Sequence, residues 1–247
     1  MKLSVTIITF NEEDNIKRCL DSIKEVANEI IVVDSGSTDK TVEIAKKYGT
    51  KVYERKFDNY SNQKNYAAEK TTGDWILSLD ADEKINPELA EEIKKAIKVT
   101  NYSAYSMPRK NIILGKWIKY TRWQPEFDRH TWLWKKGKGR WEGEVHEELI
   151  VDGEVGKLKN AKIHYQYKNV SEFMDMINRY SEFDAGQRVK KGIKFSYFRL
   201  FFDPIYNFLV RYIYRWGFLD GWRGFVLSYL MGIYHLNLWV KIWERQK

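Results

Sequence analysis

The sequence predicts an α/β fold: a Rossmann-like, mostly parallel sheet with helices on both faces, an antiparallel extension of that sheet, and C-terminal amphipathic helices. Three observations predict it. Strand-like and helix-like apolar patterns alternate over residues 1–98, and right-handed β-α-β crossovers are the economical way to connect them. Between Ser103 and Tyr165 the pattern changes to shorter, aromatic-rich strands broken by turns such as Lys135 to Gly139 and Asp152-Gly153. Beyond Lys190, apolar residues recur at helical spacing.

Taken in order, Ser4 to Phe10 (SVTIITF) is a continuous β-branched run of the kind buried on both faces of a parallel sheet. Ile16, Cys19, Leu20 and Ile23 follow at helical spacing, with Glu12, Glu13 and Asp14 expected in the first turn, where carboxylates complement the helix dipole. A second strand, Glu29 to Val33, ends at Asp34, and the small residues Ser35 to Asp39 lead into a helix expected to stop at Gly49. A strand at Lys51 to Tyr53, a helix around Gln63 to Lys70 and a strand from Trp75 to Leu79 come next. That last strand is closed by Asp80-Ala81-Asp82, and the helix after Pro87 runs to about Lys98. Ser171 to Arg188 reads as a helix with Phe173, Ile177 and Tyr180 on one side. In the tail, Phe201, Ile205, Phe208, Leu209, Tyr212 and Trp216 form one face with Arg211 and Arg215 opposite, and Trp222, Phe225, Val226, Tyr229, Leu230 and Ile233 begin another.

Composition narrows the class. The mean hydropathy of −0.58 excludes a polytopic membrane protein, and 43% hydrophobic residues exclude a disordered chain. Cys19 is the single cysteine, so no intramolecular disulfide forms, and its place in an apolar stripe points to core packing. The chain enters a strand directly instead of a signal peptide, so a cytoplasmic site is expected. From Arg188 to Lys247, eleven Lys and Arg face three acids (Asp203, Asp220, Glu244), a surplus of eight that equals the net charge of the whole chain. Seventeen of the thirty-eight aromatic residues share this stretch, a mixture that suits an anionic membrane surface or a nucleic acid. The apolar run Phe225 to Val240, broken by His235 and Asn237, falls short of the roughly 20 residues a span needs. The tail is therefore expected to lie on a bilayer without crossing it; packing on the rest of the chain or on a second subunit is the competing account.

In open parallel sheets, ligands bind beyond the carboxyl ends of the strands. Here those ends deliver Thr9, Asn11 and Glu12, then Asp34, Ser35, Gly36, Ser37 and Asp39, then Asp80 and Asp82. Carboxylates and small polar groups around one crevice suit a ribose and base held by Asp and a divalent ion bridging a diphosphate. Singly these residues are equally ordinary as loop and helix caps, so their order along the chain carries the argument.

The assembled segments Ile8-Thr9-Phe10-Asn11-Glu12, Ile31-Val32-Val33-Asp34-Ser35-Gly36-Ser37-Thr38-Asp39, Gln63-Lys64-Asn65 and Leu79-Asp80-Ala81-Asp82-Glu83 resemble the family-2 glycosyltransferases of the GT-A fold. The resemblance implies that Thr9 and Glu12 line the nucleoside pocket and that Asp34, beside Ser35 and Gly36, contacts uracil or ribose. It implies that Lys64 approaches the nucleotide, that Asp80 contacts ribose or metal next to Ala81, and that Asp82 binds Mg²⁺ or Mn²⁺. It further implies inversion at the anomeric centre. The expected organisation is a catalytic domain at 1–190, split into a nucleotide-binding half (1–98) and an acceptor half (99–190), followed by a membrane-associating tail at 191–247.

Inverting displacement needs a carboxylate to take the acceptor proton and positive charge to stabilise the departing nucleoside diphosphate. Arg140 to Glu148 concentrates acids and an imidazole, and strand alternation would place Glu142, Glu144 and His146 on one face and Glu147 on the other. Glu144 or Glu147 is the candidate base, Glu142 a third candidate, and His146 a candidate ligand of metal or diphosphate. Arg129 and Arg140 are candidate helpers, whereas His130, His164 and His235 lack a metal-ligand partner at a recognised spacing and are assigned no chemistry. Val145-His146-Glu147, Asn178-Arg179-Tyr180-Ser181 and Gly217-Phe218-Leu219-Asp220-Gly221 also resemble bacterial lipopolysaccharide core β-glucosyltransferases, extending the likeness over nearly the whole chain. That likeness implies UDP-glucose as donor and an inner-core heptose as lipid-linked acceptor; other nucleotide sugars and other lipid-linked or capsular glycans stay open.

Three other classes compete. A non-catalytic nucleotide-sugar-binding membrane adaptor would not need the intact Asp80 and Asp82, and a nucleotidyltransferase would need a glycine-rich loop that Thr9 to Glu12 lacks. No nucleic-acid partner is expected, because the basic tail carries no recognised motif. The sequence does not fix an oligomeric state.

Overall fold

The structure, a computed structural model, describes residues 1–99, 101–143 and 147–247. It comprises two compact units, Met1–Arg109 with Asp128–His164, and Lys110–Phe127 with Tyr165–Lys247. The elements are β1 (Leu3–Thr9), α1 (Ile16–Ile23), β2 (Glu29–Asp34), α2 (Thr41–Lys47), β3 (Lys51–Glu54), α3 (Tyr60–Glu69), β4 (Trp75–Asp80), β5 (Glu83–Lys84) and α4 (Pro87–Ala96). They continue with β6 (Ala104–Ile113), β7 (Lys116–Trp117), β8 (Arg129–Lys135), β9 (Gly139–Glu142), β10 (Glu148–Val151), β11 (Val155–Lys157), β12 (Lys162–Tyr165), α5 (Val170–Lys190), α6 (Tyr197–Leu209) and α7 (Trp222–Glu244).

In the first unit, β1 lies parallel between β2 and β4, and β3 extends the parallel part beyond β2. β8 runs antiparallel to β4 and to β6, which makes the expected antiparallel extension. The apolar run of β1 is covered on both faces: Leu3, Val5 and Ile7 cluster with the fully buried Ile16, Cys19, Leu20 and Ile23 of α1, and α3 packs on the strand with Ala67 in the cluster that holds Ile8. Each such aliphatic side chain contributes about 1.5–3 kcal/mol relative to exposure. Trp75 and Trp134 close the far end, with Trp134 edge-on to Trp141 at 6.0 Å between ring centroids.

Two expectations change here. Glu12, Glu13 and Asp14 precede the helix, which begins at Ile16. The backbone there is drawn to the loop after β2: Glu12 N donates to Thr41 Oγ1, Glu13 N to Asp39 Oδ2, and Lys40 N to Glu13 Oε2. Likewise, Arg140 to Glu148 is not one strand. β9 and β10 form a hairpin in which Glu142 faces Glu148, so alternation along a single strand does not apply.

In the second unit, β7 folds back against the end of β6, and α5 and α6 pack on α7. Phe173 and Ile177 of α5 meet Leu227 and Leu230, and Ala185 meets Leu238, Trp239 and Ile242. Of the second apolar face read from sequence, Leu230 is buried within the chain. Trp222, Phe225 and Tyr229 are exposed, while Gly224, Leu227, Ser228 and Gly232 point inward. Small residues four apart let neighbouring backbone approach: a Cβ at Gly224 would sit 1.8 Å from Gly217 O, and one at Gly232 3.1 Å from Pro204 O. α7 also runs 23 residues, longer than the apolar stretch read from sequence, and meets the length and composition of a membrane span. Within the chain, 39% of its apolar window is buried.

Candidate active site

All the site geometry described below lies in the first unit. The strand order reverses at β1, and its neighbours bring their carboxyl ends to the same level: Thr9 pairs with Asp34, and Ile8 pairs with both Val33 and Asp80. Parallel pairing therefore fixes Asp34 and Asp80 on either side of the end of β1 before any side-chain interaction forms. Thr9 is buried, and its Oγ1 has no hydrogen-bond partner, an orphaned polar atom at the switch point.

Asp34 organises its own loop. Its Oδ2 accepts from Gly36 N (2.9 Å) and Ser37 N (2.7 Å), and its Oδ1 accepts from Ser37 Oγ (2.5 Å). Gly36 sits at φ +91°, a conformation that costs L side chains strain, with open space where a Cβ would be. Ser35 Oγ accepts from Gln63 Nε2, and Asn11, at φ +53°, accepts through Oδ1 from Thr38 N. Glu12 Oε2 accepts from Asn15 Nδ2. These bonds tie the loops after β1 and β2 together.

Helix α3, capped by Asn59 Oδ1 on Asn62 N, carries three consecutive side chains with separate partners. Gln63 reaches the β2 loop and Asn65 makes a reciprocal pair with Trp141 N and O at 2.9 Å each. Between them, Lys64 Nζ lies 2.8 Å from Glu147 Oε1 and 3.4 Å from Asp80 Oδ1, over the ring of Trp141. Burial pulls the Lys64 ammonium down, but Asp80 and Glu147 outweigh it and hold its pKa above the usual lysine range. Burial pushes Asp80 up, but the charges of Lys64, Lys162 and Arg109, with His164 nearby, outweigh it and lower the value to about 2.

Beyond Asp80, the buried Ala81 turns the chain and Asp82 meets His164, with Oδ2 and Nε2 3.0 Å apart. Glu83 is fully buried. Its Oε2 accepts from Asp80 N (3.0 Å) and from Lys162 Nζ (2.5 Å), so it pins the turn that carries both aspartates. Burial pulls Lys162 down to about 8 against the attraction of Glu83 and Asp80. Arg109 joins this network, 3.9 Å from Glu83 and 2.9 Å from Asp128.

Of the residues singled out in the sequence, Thr9, Asp34, Ser35, Gly36, Lys64, Asp80, Ala81, Asp82 and Glu147 come to the strand ends or are linked to them by the contacts above. Glu142 is exposed on the hairpin strand β9. Glu144 and His146 lie outside the described residues. Arg129 donates to Ser106 O and Leu158 O, a framework role in place of the expected helper role. His164, assigned no chemistry from sequence, is the residue that reasoning missed, together with Glu83, Lys162 and Arg109. Glu83 adjoins Asp82, but no spacing rule joins positions 82 residues apart; only the antiparallel pairing of His164 with Glu83 does so. Among the described residues no group of three or more His, Cys, Asp or Glu is placed to hold a metal. The donors present still fit one, because Mg²⁺ is commonly held by one or two carboxylates and completed by phosphate oxygens and water, and an imidazole also suits Mn²⁺.

A parallel switch-point sheet with Asp34, Asp80 and Asp82 at its carboxyl edge and an antiparallel extension defines a GT-A transferase. The chain belongs to glycosyl transferase family 2, whose profile matches residues 4–150, and it is a glycosyltransferase. It is 33% identical to an uncharacterised glycosyltransferase of Rickettsia typhi over 92% of this chain and 82% of that protein. It is 28% identical to the lipopolysaccharide core biosynthesis glycosyltransferase LpsC of Rhizobium meliloti, over 99% of this chain and 93% of that one. The fold resembles S. aureus TarS crystallised with UDP, at a TM-score of 0.51 and 17% identity, over 73% of this chain and 64% of that structure.

Proposed function

We propose that the chain transfers a sugar, glucose being the first candidate, from a UDP-sugar to a saccharide of a membrane-linked glycan such as a lipopolysaccharide core, inverting the anomeric centre. The observation that carries this reading is the placement of Asp34 and Asp80 beside the orphaned Thr9 Oγ1, with Asp82 one turn further on. Thr9, Glu12, Asp34, Ser35 and Gly36 would bind the nucleoside. Asp80 and Asp82, with His164 adjacent and His146 as a further candidate, would hold Mg²⁺ or Mn²⁺. The cation, when bound, supplies charge stabilisation to the departing diphosphate.

Glu147 is the favoured base. Lys64 at 2.8 Å keeps the Glu147 carboxylate beside Asp80, near the strand ends where a donor would lie. Glu142 is exposed to water, and Glu144 remains a candidate from sequence. The LpsC likeness supports the lipopolysaccharide acceptor, and the basic, aromatic region 191–247 supports a peripheral position on the inner, anionic face of the cytoplasmic membrane, with 1–190 as the catalytic part.

Purified protein with Mn²⁺ and a panel of nucleotide sugars, read as nucleoside diphosphate release, tests the proposal. UDP-sugar turnover lost in D82A supports it; equal release by D82A and the parent rejects the metal assignment.

A further inference from the structure

The second unit holds a cavity of about 660 Å³ lined by Arg122, Arg215, Tyr206, Leu209, Val210 and Ile213 among others, within the size range of small-molecule sites. Its chemistry is lopsided. Arg122 and Arg215 supply fork-shaped donors, and Arg211 stands behind them with Nη1 on Thr121 O and its guanidinium over Trp123. Arg215 stacks on Phe127 and Tyr214, and the Nε atoms of Arg211 and Arg215 are buried without hydrogen-bond partners. None of the three arginines forms an ion pair among the described residues. Burial first, and then the neighbouring Arg122 charge, depress Arg211 to about 10, the mark of a site with surplus positive charge. The backbone around it is unusual: Val210–Tyr214 forms a π-helical turn, and Thr121, Arg122 and Trp216 all have positive φ. Such outliers concentrate at functional sites.

Next to the cavity the surface is apolar. No residue of α6 is buried, and Tyr197, Phe198, Phe201, Ile205 and Tyr214 are each more than half exposed. A patch this broad on a water-soluble surface marks an interaction site. Unpaired arginines opening onto an aromatic and aliphatic wall match a molecule with an anionic phosphate at one end and hydrocarbon at the other.

We propose that this cavity is a headgroup site for an anionic phospholipid, with the phosphate held by Arg122 and Arg215 and the acyl chains running along Tyr206, Leu209 and Ile213 onto the exposed face of α6. The proposal deepens, and rests on, the membrane-surface reading above: it turns a diffuse basic tail into a site with defined stoichiometry.

The test titrates the full chain with dihexanoyl phosphatidic acid below its micelle concentration, followed by calorimetry, and in parallel floats it with phosphatidylcholine vesicles with and without phosphatidylglycerol. Saturable one-to-one binding of the short-chain lipid is expected, weakened about tenfold or more in R122A/R215A and partly restored in R122K/R215K, because lysine keeps the charge but not the fork. UDP-sugar hydrolysis and the thermal midpoint of both variants should match the parent, which separates loss of the site from loss of fold. Unchanged binding in R122A/R215A, no saturation by the parent, or inorganic phosphate binding as tightly as the lipid overturns the proposal. Saturation without vesicle flotation upholds the cavity and overturns only the membrane-surface reading.

Discussion

His164 Nε2 lies 3.0 Å from Asp82 Oδ2, joining the last strand of the first unit to the turn that follows β4. The contact orients a carboxylate proposed to bind metal, and groups that orient metal ligands are worth about 10–100-fold in metal affinity. H164A should therefore raise the Mn²⁺ concentration for half-maximal turnover by about that factor. A Mn²⁺ titration of activity checks this, and an unchanged curve would leave His164 as framework.

Lys64 is the shared counter-ion of Asp80 and Glu147. Removing one partner of a buried ion pair leaves uncompensated charge and costs about 3–5 kcal/mol. K64A should lower the denaturation midpoint by a corresponding amount and move the Asp80 pKa upward. A double variant, K64A/E147Q, should recover part of the loss, measured in a double-mutant cycle.

If Glu147 accepts the acceptor proton, E147Q should reduce kcat by about 10²–10⁴-fold. E142Q, on the exposed strand of the hairpin, should stay within a few-fold of the parent. Steady-state kinetics on both decide the assignment, and the reverse ranking would move the base to β9.

Glu29 joins β2 to β1, β3 and the loop before β4 through Ser4 Oγ, Lys51 Nζ, Thr72 N and Thr72 Oγ1. Burial alone would raise its pKa, but these hydrogen bonds override it and lower the value from 4.5 to about 2. Between those values the unfolded chain binds more protons, so the stabilisation is complete above pH 4.5 and fades as pH falls toward 2. The side chain is only 10% exposed, so about 3 kcal/mol is at stake. Urea unfolding of E29Q should show reduced stability at neutral pH and a shallower decline than the parent over that acid window.

G224A should destabilise the second unit by more than the roughly 1–3 kcal/mol of ordinary overpacking, because its Cβ would collide with backbone at Gly217 O. G232A, 3.1 Å from Pro204 O, should be milder. Near-ultraviolet circular dichroism and thermal melts on the two variants rank them.

Much of the site was legible because its parts are local. The run Ser4 to Phe10, the loop Ser35 to Asp39 and Asp80-Ala81-Asp82 each announce a strand end, and parallel pairing then has little freedom in where to put them. The caps Asn59, Asn86 and Asn169 are equally local in the structure, each bonding a backbone N–H three residues on.

Contacts that cross the sheet or depend on depth were not legible. Local polar pattern placed Glu12 to Asp14 in a helix, but bonds to Asp39, Lys40 and Thr41 won. Apolar periodicity marked Trp222, Phe225 and Tyr229 as one apolar face, which the fold leaves exposed, but it gave no sign that close backbone approach turns Gly224, Ser228 and Gly232 inward.

The sequence by itself determined an α/β fold with carboxylates at three strand ends, since hydrophobic period and local hydrogen bonding are short-range properties, and the resemblance of those strand-end motifs to family-2 glycosyltransferases implied the activity. Only the tertiary structure decided that His164 meets Asp82, that Lys64 bridges Asp80 and Glu147, and that Arg122 and Arg215 share a cavity. Those relationships depend on which distant strands and helices become neighbours, and that is settled by how the whole chain buries its apolar surface.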